Sequence, residues 1–384
     1  MPIRRKDYYR PLSTQTKLDL FRDCTVVHPR LKKAYEEFRD AVNNPGGASL
    51  IFLFGPTGVG KTTLLSQIIK VMLEEHRSRI NRDLDYLPVA TTEARAPESG
   101  RFDWKAYYQS VLTSLSPLTT AGAGIRPRSP LKKSRRSQKS IGSASSHLST
   151  LREQVMVNMR HRSLIVFLTD EAQRLSKMAN SSRQQAQMDA IQSMASMTGI
   201  LHGLFGTYEL LEFRNLSGQL SRRSIDIHFS RYHANSAEDL VDFQRVLKSF
   251  GEKMTLDEPP ELQTYWEYFY ERSIGCVGIL KDWLTQAYRK ALDENASTLE
   301  PKHWQLYAPS VSKCLQMAAE AIEGEKAFQF ESGKLALLRQ KLGLSSICSS
   351  ISSIDDSSVL KTKLQNKKHQ PGVRQPNRDV IGET

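Results

Sequence analysis

The pattern of hydrophobic positions along the chain divides it into regions of different character. Five short apolar runs have the length and composition of buried strands, and they lie at 50–54, 86–92, 164–168, 201–205 and 225–229. Elsewhere apolar residues recur at three- and four-residue spacing, as over 64–72, which predicts amphipathic helices. After position 236 the helical spacing continues without strand-like runs. The pattern therefore predicts an α/β fold with a parallel sheet core, followed by a small all-helical domain.

These changes of pattern also predict where the domains begin and end. We expect an N-terminal helical extension over 1–45, an α/β nucleotide-binding domain over 46–235, a helical domain over 236–326 and a flexible tail over 327–384. Proline, glycine and serine dominate residues 117–147, which predicts a flexible insert within the α/β domain. The serine-rich composition near 345–358 predicts disorder in the tail.

The loop after the first strand has the spacing of a phosphate-binding site. Gly55 to Thr62 fits G-x-x-x-x-G-K-S/T without a mismatch, between a strand and a helical pattern. Glycines allow backbone N–H groups to face phosphate oxygens, and a helix N-terminus adds partial positive charge. Lys61 is expected to reach the β- and γ-phosphates, and the Thr62 hydroxyl to bind Mg²⁺. We predict that ATP contacts Gly55, Pro56, Thr57, Gly58, Val59, Gly60, Lys61, Thr62 and Thr63.

Two adjacent carboxylates follow a later apolar run. Asp170 and Glu171 come directly after 164–168, at the carboxyl end of a predicted parallel strand, where such sheets bind ligands. Adjacent buried carboxylates need a cation nearby. Asp170 is therefore predicted to hold Mg²⁺, and Glu171 to polarise the water that attacks the γ-phosphate. The alternative is a pair of residues at a helix start, because acidic side chains favour that position.

Three further residues are candidates for sensing or completing the phosphate site. Thr207 follows the run 201–205 and is a candidate sensor of the γ-phosphate, although a hydrogen-bonded core threonine fits equally. Arg222 and Arg223 precede the last strand. One of them is a candidate for reaching the γ-phosphate of a neighbouring subunit, where a guanidinium stabilises charge that develops in phosphoryl transfer. The alternative is a pair of surface arginines.

The charge of the chain indicates an anionic partner. The formal net charge is +13 and the pI is about 9.5. We expect DNA contacts from basic residues in two places, against the alternatives of a solvated helix face and a solubilising loop. The candidates are Arg101 and Lys105 at a helix start, and Arg126, Arg128, Lys132, Lys133, Arg135, Arg136 and Lys139 in the insert, which contains no acidic residue between positions 126 and 139.

Cysteine usage and hydropathy predict a cytoplasmic protein. The four cysteines, Cys24, Cys276, Cys314 and Cys348, have no C-x-x-C spacing, which is typical of a reducing compartment. Arg4, Arg5 and Lys6 are not followed by the apolar segment of a secretory signal, and no run approaches the length of a membrane span.

Four segments together resemble the TnsC/TniB family of AAA+ ATPases, which regulate target choice in DNA transposition. They are G-P-T-G-V-G-K-T-T at 55–63, F-L-T-D-E-A-Q-R-L at 167–175, L-F-G-T-Y-E-L at 204–210 and Q-L-S-R-R at 219–223. The segment P-G-V-R-Q-P-N-R-D at 371–379 also resembles family tails that contact the transposase. The resemblance covers roughly residues 20–325 and that tail. One departure is the absence of a sensor-2 arginine in Gly275–Gly278.

This resemblance implies roles for the candidate residues. Asp170 and Glu171 form the Walker B pair, Thr207 is sensor 1, and Arg222 or Arg223 is the arginine finger. The helical domain is then the AAA+ lid. The family forms ATP-dependent rings or filaments on duplex DNA, is recruited by a target-selection protein, and is recognised by transposase subunits through the C-terminal tail.

We therefore expect an ATPase that assembles on DNA, licenses a transposase and uses hydrolysis as a disassembly switch. The first alternative is an AAA+ replication initiator or helicase loader, which has the same site. The second is a DNA-coating module that uses nucleotide without appreciable hydrolysis.

Overall fold

The structure is a computed structural model that describes most of the chain. The described residues are 12–96, 102–116, 118–119, 126–127, 148–175, 181–215, 218–333 and 335–344. The chain divides into two compact units, Met1–Gln329 and Phe330–Thr384. The sheet and the phosphate loop lie in the first unit. The described part of the second contains the helix Leu335–Lys341.

A parallel sheet of five strands forms the centre of the first unit. Its strand order is β2–β5–β6–β1–β7, and all four pairings are parallel. The strand that leads into the phosphate loop, β1, therefore lies between the central strand β6 and the edge strand β7. A separate antiparallel pair joins the two short strands of the insert. The strands are β1 (Leu50–Phe54), β2 (Val89–Glu93), β3 (Leu118–Thr119), β4 (Arg126–Pro127), β5 (Val166–Asp170), β6 (Leu201–Gly206) and β7 (Ser224–His228).

Helices surround the sheet and continue after it. In chain order they are α1 (Thr14–Asp23), α2 (Pro29–Asn43), α3 (Lys61–Glu75), α4 (Arg77–Arg82), α5 (Trp104–Ser114), α6 (Leu148–His161), α7 (Ser181–Thr198), α8 (Leu210–Arg214), α9 (Gly218–Arg222), α10 (Ala237–Lys253), α11 (Trp266–Ser273), α12 (Val277–Asp293), α13 (Pro301–Leu306), α14 (Val311–Gly333) and α15 (Leu335–Lys341). Two 3-10 turns span Ala172–Leu175 and Leu262–Tyr265.

Both faces of the sheet are covered, as a continuous apolar strand requires. Every side chain of β1 is completely buried. Phe52 and Phe54 belong to one hydrophobic cluster, whereas Ile51 and Leu53 belong to the cluster on the other face, as the alternation of strand side chains dictates. A third cluster lies among α10, α11 and α12 and includes Leu18 and Phe21 of α1. The predicted parallel α/β core with helices after it is therefore confirmed.

Four of the five predicted strands of the central sheet differ in their boundaries from the sequence prediction, and two of them differ by more than one residue. The strand predicted at 86–92 begins at Val89, because Pro88 has no N–H to donate to a ladder. The strand predicted at 164–168 extends from Val166 to Asp170, so that the first of the two carboxylates is its last residue. Both shifts leave the acidic pair at the carboxyl end of the sheet.

The structure also differs from the expected flexible insert and tail at specific residues. Within the insert, Leu118 and Thr119 pair with Arg126 and Pro127, because short extended segments can satisfy each other's backbone groups. At the other end, α14 continues past position 327 to Gly333, and α15 follows it. Leucines at 335, 337 and 338 support helix formation there. The remaining tail, 345–384, lies outside the described residues.

Across the part of the chain that the structure describes, no helix is both long and apolar enough to cross a membrane.

Candidate nucleotide-binding site

The phosphate loop joins β1 to α3 and relies on its glycines in two different ways. Gly60 caps α3 with a left-handed backbone (φ +114°), a conformation that side chains with a Cβ disfavour. At Gly55 a side chain would not fit, because a Cβ there would lie 2.4 Å from the Phe229 carbonyl oxygen. These two positions fix the path of the loop at the N-terminus of α3, where the helix dipole favours an anion.

Lys61 is the first residue of α3, and its side chain is buried within the loop. Its Nζ donates hydrogen bonds to the carbonyl oxygens of Gly55 (3.0 Å) and Pro56 (2.9 Å). Burial lowers the pKa of Lys61 to about 8, and the nearby Glu171 carboxylate acts in the opposite direction. The ammonium group therefore lies inside the phosphate loop, as the sequence motif predicts.

Thr62 and Asp170 meet at the carboxyl end of the sheet. Thr62 Oγ1 donates a 2.9 Å hydrogen bond to Asp170 Oδ2, which joins the loop after β1 to the end of β5. The pair offers only oxygen atoms, and Mg²⁺ prefers a small number of protein oxygens together with substrate phosphates and water. Among the described residues, no group of three or more His, Cys, Asp or Glu side chains forms a separate metal site. The donor set of Thr62 and Asp170 therefore fits a magnesium ion that also binds phosphate.

Glu171 follows β5 with a left-handed backbone (φ +54°), which is uncommon for a residue with a side chain. Its N–H donates to Asp170 Oδ1 (2.9 Å). Its Oε2 accepts from Gln173 Nε2 (3.0 Å) and lies 3.2 Å from Arg174 Nη2. Two donors thus hold this carboxylate close to the metal-binding pair.

Arg174 connects this carboxylate to the neighbouring strand. Its Nη1 contacts Glu93 Oε1 at 2.6 Å and donates to the Ala94 carbonyl oxygen at 3.0 Å. Glu93 is the last residue of β2 and is paired with Asp170 in the sheet register. The guanidinium therefore bridges the ends of two strands beside the candidate catalytic carboxylate.

The helical region approaches the phosphate loop through the start of α12. The N–H of Ile279 donates to the Gly58 carbonyl oxygen (3.2 Å), and a Cβ on Gly278 would lie 2.5 Å from that same oxygen. Lys281, one helical turn later, donates from Nζ to the carbonyl oxygens of Arg22 and Cys24, each at 2.7 Å. The start of α12 thus lies between the phosphate loop and the segment after α1.

Two cavities border the phosphate loop. A small one of about 30 Å³ is enclosed by the segment after α1, the start of α3 and the start of α12. A larger cleft of about 460 Å³ is lined by Pro56, Thr57 and Thr207 together with residues of α8 and α14. Lys61, Thr62 and the acidic pair do not line the larger cleft. The size of a cavity therefore does not identify the candidate phosphate-binding site. The side-chain contacts described above identify it instead.

Thr207 lies at the end of β6, where it borders the larger cleft. Its N–H donates to Gln173 Oε1 at 3.4 Å. Its Oγ1 is buried, and within the described residues it has no hydrogen-bond partner. A buried hydroxyl normally finds a partner, so this geometry does not match the alternative of a hydrogen-bonded core threonine.

Arg222 and Arg223 lie near the amino ends of the strands, whereas the phosphate loop lies at their carboxyl ends. The Arg223 carbonyl oxygen accepts from the N–H groups of Ser49 and Leu50, at the start of β1. The loop leaves the other end of this strand, whose five residues span roughly 16 Å. Neither arginine is therefore placed to reach the phosphate loop of its own subunit. Arg223 Nη1 contacts Ser196 Oγ at 3.3 Å.

The candidate DNA-binding residues are only partly described. Lys105 is exposed in the first turn of α5, and the backbone of Arg126 lies in β4. The other candidates lie outside the described residues, and they are Arg101, Arg128, Lys132, Lys133, Arg135, Arg136 and Lys139.

Several contacts at the site involve residues to which the sequence assigned no role. Gln173, Arg174 and Glu93 surround the Glu171 carboxylate, and Ile279 contacts the loop through its backbone. The only sequence signal for the first two was their place directly after the acidic pair. Backbone contacts such as that of Ile279 leave no signal in a side-chain motif.

Comparison with known proteins identifies the class of domain that this site defines. The AAA domain family matches residues 43–213, which include the phosphate loop and the acidic pair. Residues 43–213 therefore form an AAA-type P-loop domain. Comparison of the sequence with curated proteins found no match.

The chain is also similar to several solved structures. The ORC2 protein of Aeropyrum pernix, in ADPNP and ADP complexes, is 15% identical, with a TM-score of 0.50, over 77% of this chain and 71% of that chain. The Aeropyrum pernix ORC1 protein in complex with DNA is 15% identical, with a TM-score of 0.48, over 77% and 70%. The Thermotoga maritima RuvB branch migration motor is 15% identical, with a TM-score of 0.40, over 72% and 67%. At this identity the first similarity shows that the fold is that of an AAA+ domain.

Proposed function

We propose that this protein is a magnesium-dependent ATPase that assembles on duplex DNA. The observation that supports hydrolysis most directly is the convergence of Lys61, Thr62 and the acidic pair from two separate parts of the chain. Each has the chemistry that phosphoryl transfer requires: an ammonium group for the phosphates, oxygen ligands for Mg²⁺ and a carboxylate for the attacking water.

The roles of these groups follow from their positions. On ATP binding, Lys61 exchanges its two carbonyl contacts for phosphate oxygens, and the backbone N–H groups of the loop enclose the phosphates. Thr62 and Asp170 would hold Mg²⁺ through their oxygen atoms, and the ion would supply positive charge against the negative charge that develops on the phosphates. Glu171 then orients a water molecule toward the γ-phosphate and accepts its proton. We propose that the base and ribose bind where the small cavity lies, after α12 and the segment after α1 separate.

The placement of Arg222 and Arg223 supports an assembled active form. These arginines lie at the end of their own sheet that is opposite to the phosphate loop. Either one therefore reaches a phosphate site only across a subunit boundary. We propose that one of them completes the neighbour's site in a ring or filament. Thr207, with its buried hydroxyl beside the phosphate loop, would report the γ-phosphate within the same subunit.

The particular biological role that we propose is regulation of DNA transposition. It is supported by the resemblance of the four sequence segments to TnsC/TniB proteins and by the net charge of +13. In this role the protein links a target-selection protein to transposase subunits, which the tail over 327–384 contacts, and hydrolysis disassembles the complex. We propose that residues 46–235 form the nucleotide-binding domain and that residues 236–326 form its lid. We also propose that the protein is cytoplasmic.

The first experiment measures phosphate release with and without Mg²⁺ and duplex DNA, and compares wild type with Glu171→Gln. The variant should bind ATP and assemble on DNA while losing turnover, because it keeps the loop and the metal ligands. Glu75→Gln on the last turn of α3 is the matched control and should hydrolyse ATP as wild type does. Absence of magnesium-dependent hydrolysis in wild type, with and without DNA, would contradict the proposal and favour a DNA-coating module.

A mixing experiment tests the cross-subunit arginine. A Lys61→Ala subunit keeps both arginines but lacks a working site, and an Arg222→Ala/Arg223→Ala subunit keeps the site but lacks the arginines. Each should be inactive alone, and a mixture should recover hydrolysis on DNA. A mixture as inactive as its components would remove the arginines from the mechanism. Electron microscopy with ATP and with ADP shows whether assembly on DNA depends on the γ-phosphate.

A further inference from the structure

A single buried amide joins the candidate catalytic carboxylate to the end of the neighbouring strand. Gln173 lies in the 3-10 turn Ala172–Leu175, two residues after Glu171, and is only 6% exposed. Its Nε2 donates to Glu171 Oε2 at 3.0 Å, and its Oε1 accepts from the Thr207 N–H at 3.4 Å. The two ends of one side chain thus contact the two residues that are proposed to activate water and to report the γ-phosphate.

The chain leaves a specific space for this amide. Gly206 is the last residue of β6, and its φ is not positive. Its backbone conformation therefore does not require a glycine. A Cβ at this position would however lie 2.5 Å from Gln173 Oε1 and 2.7 Å from Leu210 Cδ1. Any larger residue at position 206 would therefore press on the amide beside Thr207 and on the Leu210 side chain.

The two contacts also determine which way the amide faces. A glutamine amide has one end that only accepts and one that only donates. The carboxylate of Glu171 requires a donor, and the backbone N–H of Thr207 requires an acceptor. The opposite orientation would place an oxygen against a carboxylate and an NH₂ group against an N–H. The pair of contacts thus fixes one orientation of the side chain.

Both donors to the Glu171 carboxylate bind the same oxygen. Gln173 Nε2 and Arg174 Nη2 each approach Oε2, and within the described residues no contact of this kind engages Oε1. Oε1 is therefore the oxygen of this carboxylate that remains for a further contact. Because Glu171 has a strained left-handed backbone, its side-chain direction depends on such contacts.

We infer that Gln173 is a positioning residue for ATP hydrolysis. It holds the Glu171 carboxylate at a fixed position relative to Thr207, at the end of β6. The inference rests on the proposed ATPase function. Gln173 itself touches neither phosphate nor metal. It acts through the direction of the Glu171 carboxylate, so its loss should lower turnover and leave nucleotide affinity nearly unchanged.

The test compares Gln173→Leu with Gln192→Leu. Gln192 is a matched control, since it is a buried glutamine (7% exposed) on α7, a helix that packs on α6 and α8. For Gln173→Leu we expect kcat to fall by about a hundredfold, because a misdirected catalytic group loses alignment with the reacting atoms. We expect the Kd for a fluorescent ATP analogue to change by less than about threefold, since no ground-state contact to nucleotide is removed. Gln192→Leu should keep the wild-type kcat.

Two more variants make the test independent of folding. Gln173→Glu keeps the size of the side chain and an acceptor for Thr207 but replaces the donor to Glu171, so it should reduce kcat as Gln173→Leu does. Gly206→Ala presses on the amide from the other side, and it also presses on the Leu210 side chain, so its effect supports the test only together with that of Gln173→Glu. In a Glu171→Gln background neither Gln173 variant should lower the residual rate further, because the group that Gln173 positions is already absent.

The outcomes separate this inference from the proposed function. Wild-type hydrolysis with an unaffected Gln173→Glu or Gln173→Leu protein overturns the positioning role and leaves the ATPase proposal intact. A parallel loss of nucleotide binding and kcat also overturns it, because that pattern indicates a structural role. If wild type does not hydrolyse ATP, both proposals fail together.

Discussion

Thr62 Oγ1 donates a 2.9 Å hydrogen bond to Asp170 Oδ2, although 108 positions separate the two residues along the chain. The contact joins the phosphate loop to the end of β5, so it brings together the two oxygen groups that are proposed to bind Mg²⁺. The same hydroxyl that donates here to a carboxylate has lone pairs that a metal ion accepts once the hydroxyl proton turns away.

The first prediction concerns this pair. Asp170→Asn should weaken nucleotide binding in the presence of Mg²⁺ by about tenfold or more, equivalent to about 1.4 kcal/mol, because an amide binds the cation less well than a carboxylate. In EDTA the variant and wild type should bind nucleotide equally. The measurement is titration with a fluorescent ATP analogue in each condition.

A neighbouring hydroxyl provides the control for the metal site. Ser66 lies one turn further along α3 and donates to the Thr62 carbonyl oxygen rather than to the acidic pair. Ser66→Ala should retain the full effect of Mg²⁺, whereas Thr62→Val should lose it as Asp170→Asn does. If Mg²⁺ increases nucleotide affinity in all three variants as much as in wild type, these oxygens do not hold the ion.

The second prediction is a pH dependence that originates at Lys61. Burial holds the pKa of this residue at about 8 in the free protein. Bound phosphate favours the ammonium form and must raise this pKa, so binding takes up a proton at higher pH. Affinity for nucleotide should be nearly constant below pH 8 and fall by about tenfold per pH unit above it.

Calorimetry tests this assignment directly. At pH 9 the measured enthalpy of nucleotide binding should differ between buffers of different ionisation enthalpy, because the protein takes up a proton. At pH 7 the enthalpy should be the same in both buffers. An affinity that stays flat up to pH 9.5 would mean that Lys61 remains charged in the free protein, and the prediction would be wrong.

The third prediction concerns Gly278 at the start of α12. Replacing a glycine by alanine inside a helix normally stabilises it by about 1 kcal/mol. Here a Cβ would lie 2.5 Å from the Gly58 carbonyl oxygen, so the substitution must push α12 away from the phosphate loop. We expect Gly278→Ala to lower both thermal stability and nucleotide affinity, measured by thermal unfolding with and without ATP.

A control on the same helix distinguishes contact from helix propensity. Thr285 bonds to the Lys281 carbonyl oxygen within α12. Thr285→Ala also raises helix propensity but places no atom near the loop, and it should keep the wild-type affinity for ATP. If Gly278→Ala stabilises the protein instead, the approach of α12 to the loop is not a close one.

The fourth prediction concerns a buried ion pair that ties α14 to the segment after β7. Arg231 contacts both carboxylate oxygens of Glu325, at 2.9 and 3.1 Å, and the side chains are 11% and 9% exposed. Removing one partner leaves a buried charge. Arg231→Met or Glu325→Leu should therefore lower the free energy of unfolding by about 3–5 kcal/mol.

The double variant shows whether the loss arises from the uncompensated charge. Arg231→Met/Glu325→Leu removes both charges and should recover most of the stability, because the pair itself contributes little beyond its own desolvation. Urea unfolding of the four proteins gives the coupling energy. A double variant whose loss equals the sum of the single losses would show that the two side chains act independently.

The sequence was sufficient to predict the parts of the site that are contiguous or that end a strand. The phosphate loop could be recognised because strand, loop and helix follow one another within 50–75. Asp170 could be placed at a strand end because the apolar run before it predicts a buried strand, and parallel sheets bind ligands at the carboxyl ends of their strands. The central sheet followed from the same runs.

The network around Glu171 could not be predicted in this way. The contact of Gln173 with Thr207 joins the ends of β5 and β6, and it depends on the missing Cβ of Gly206. The pairing of Arg231 with Glu325 likewise spans 94 positions. Such contacts depend on how elements pack in three dimensions, and a hydrophobic period carries no information about them. The same limit applies to α14, whose length past position 327 the composition did not indicate.

The fifth prediction concerns the stability of the sheet in acid and originates at His202 in the middle of β6. His202 is completely buried, and among the described residues neither ring nitrogen has a hydrogen-bond partner. Burial lowers the pKa of His202 to about 4, whereas an unfolded chain has a histidine pKa near 6.5. Between these values the unfolded state binds more protons, so stability falls as pH decreases from 6.5 toward 4.

Replacing this histidine should remove part of that acid sensitivity. His202→Leu is expected to stabilise the protein by about 1 kcal/mol at pH 7, because two unpaired polar atoms leave the core. It should also lose less stability between pH 7 and pH 5 than wild type does, in urea unfolding at both values. His28 and His228, whose pKa values burial also lowers to about 4, retain the remaining pH dependence. The exposed His161 is the control, and His161→Leu should keep the wild-type slope. An unchanged slope in His202→Leu would show that His202 already has a proton acceptor in the folded protein.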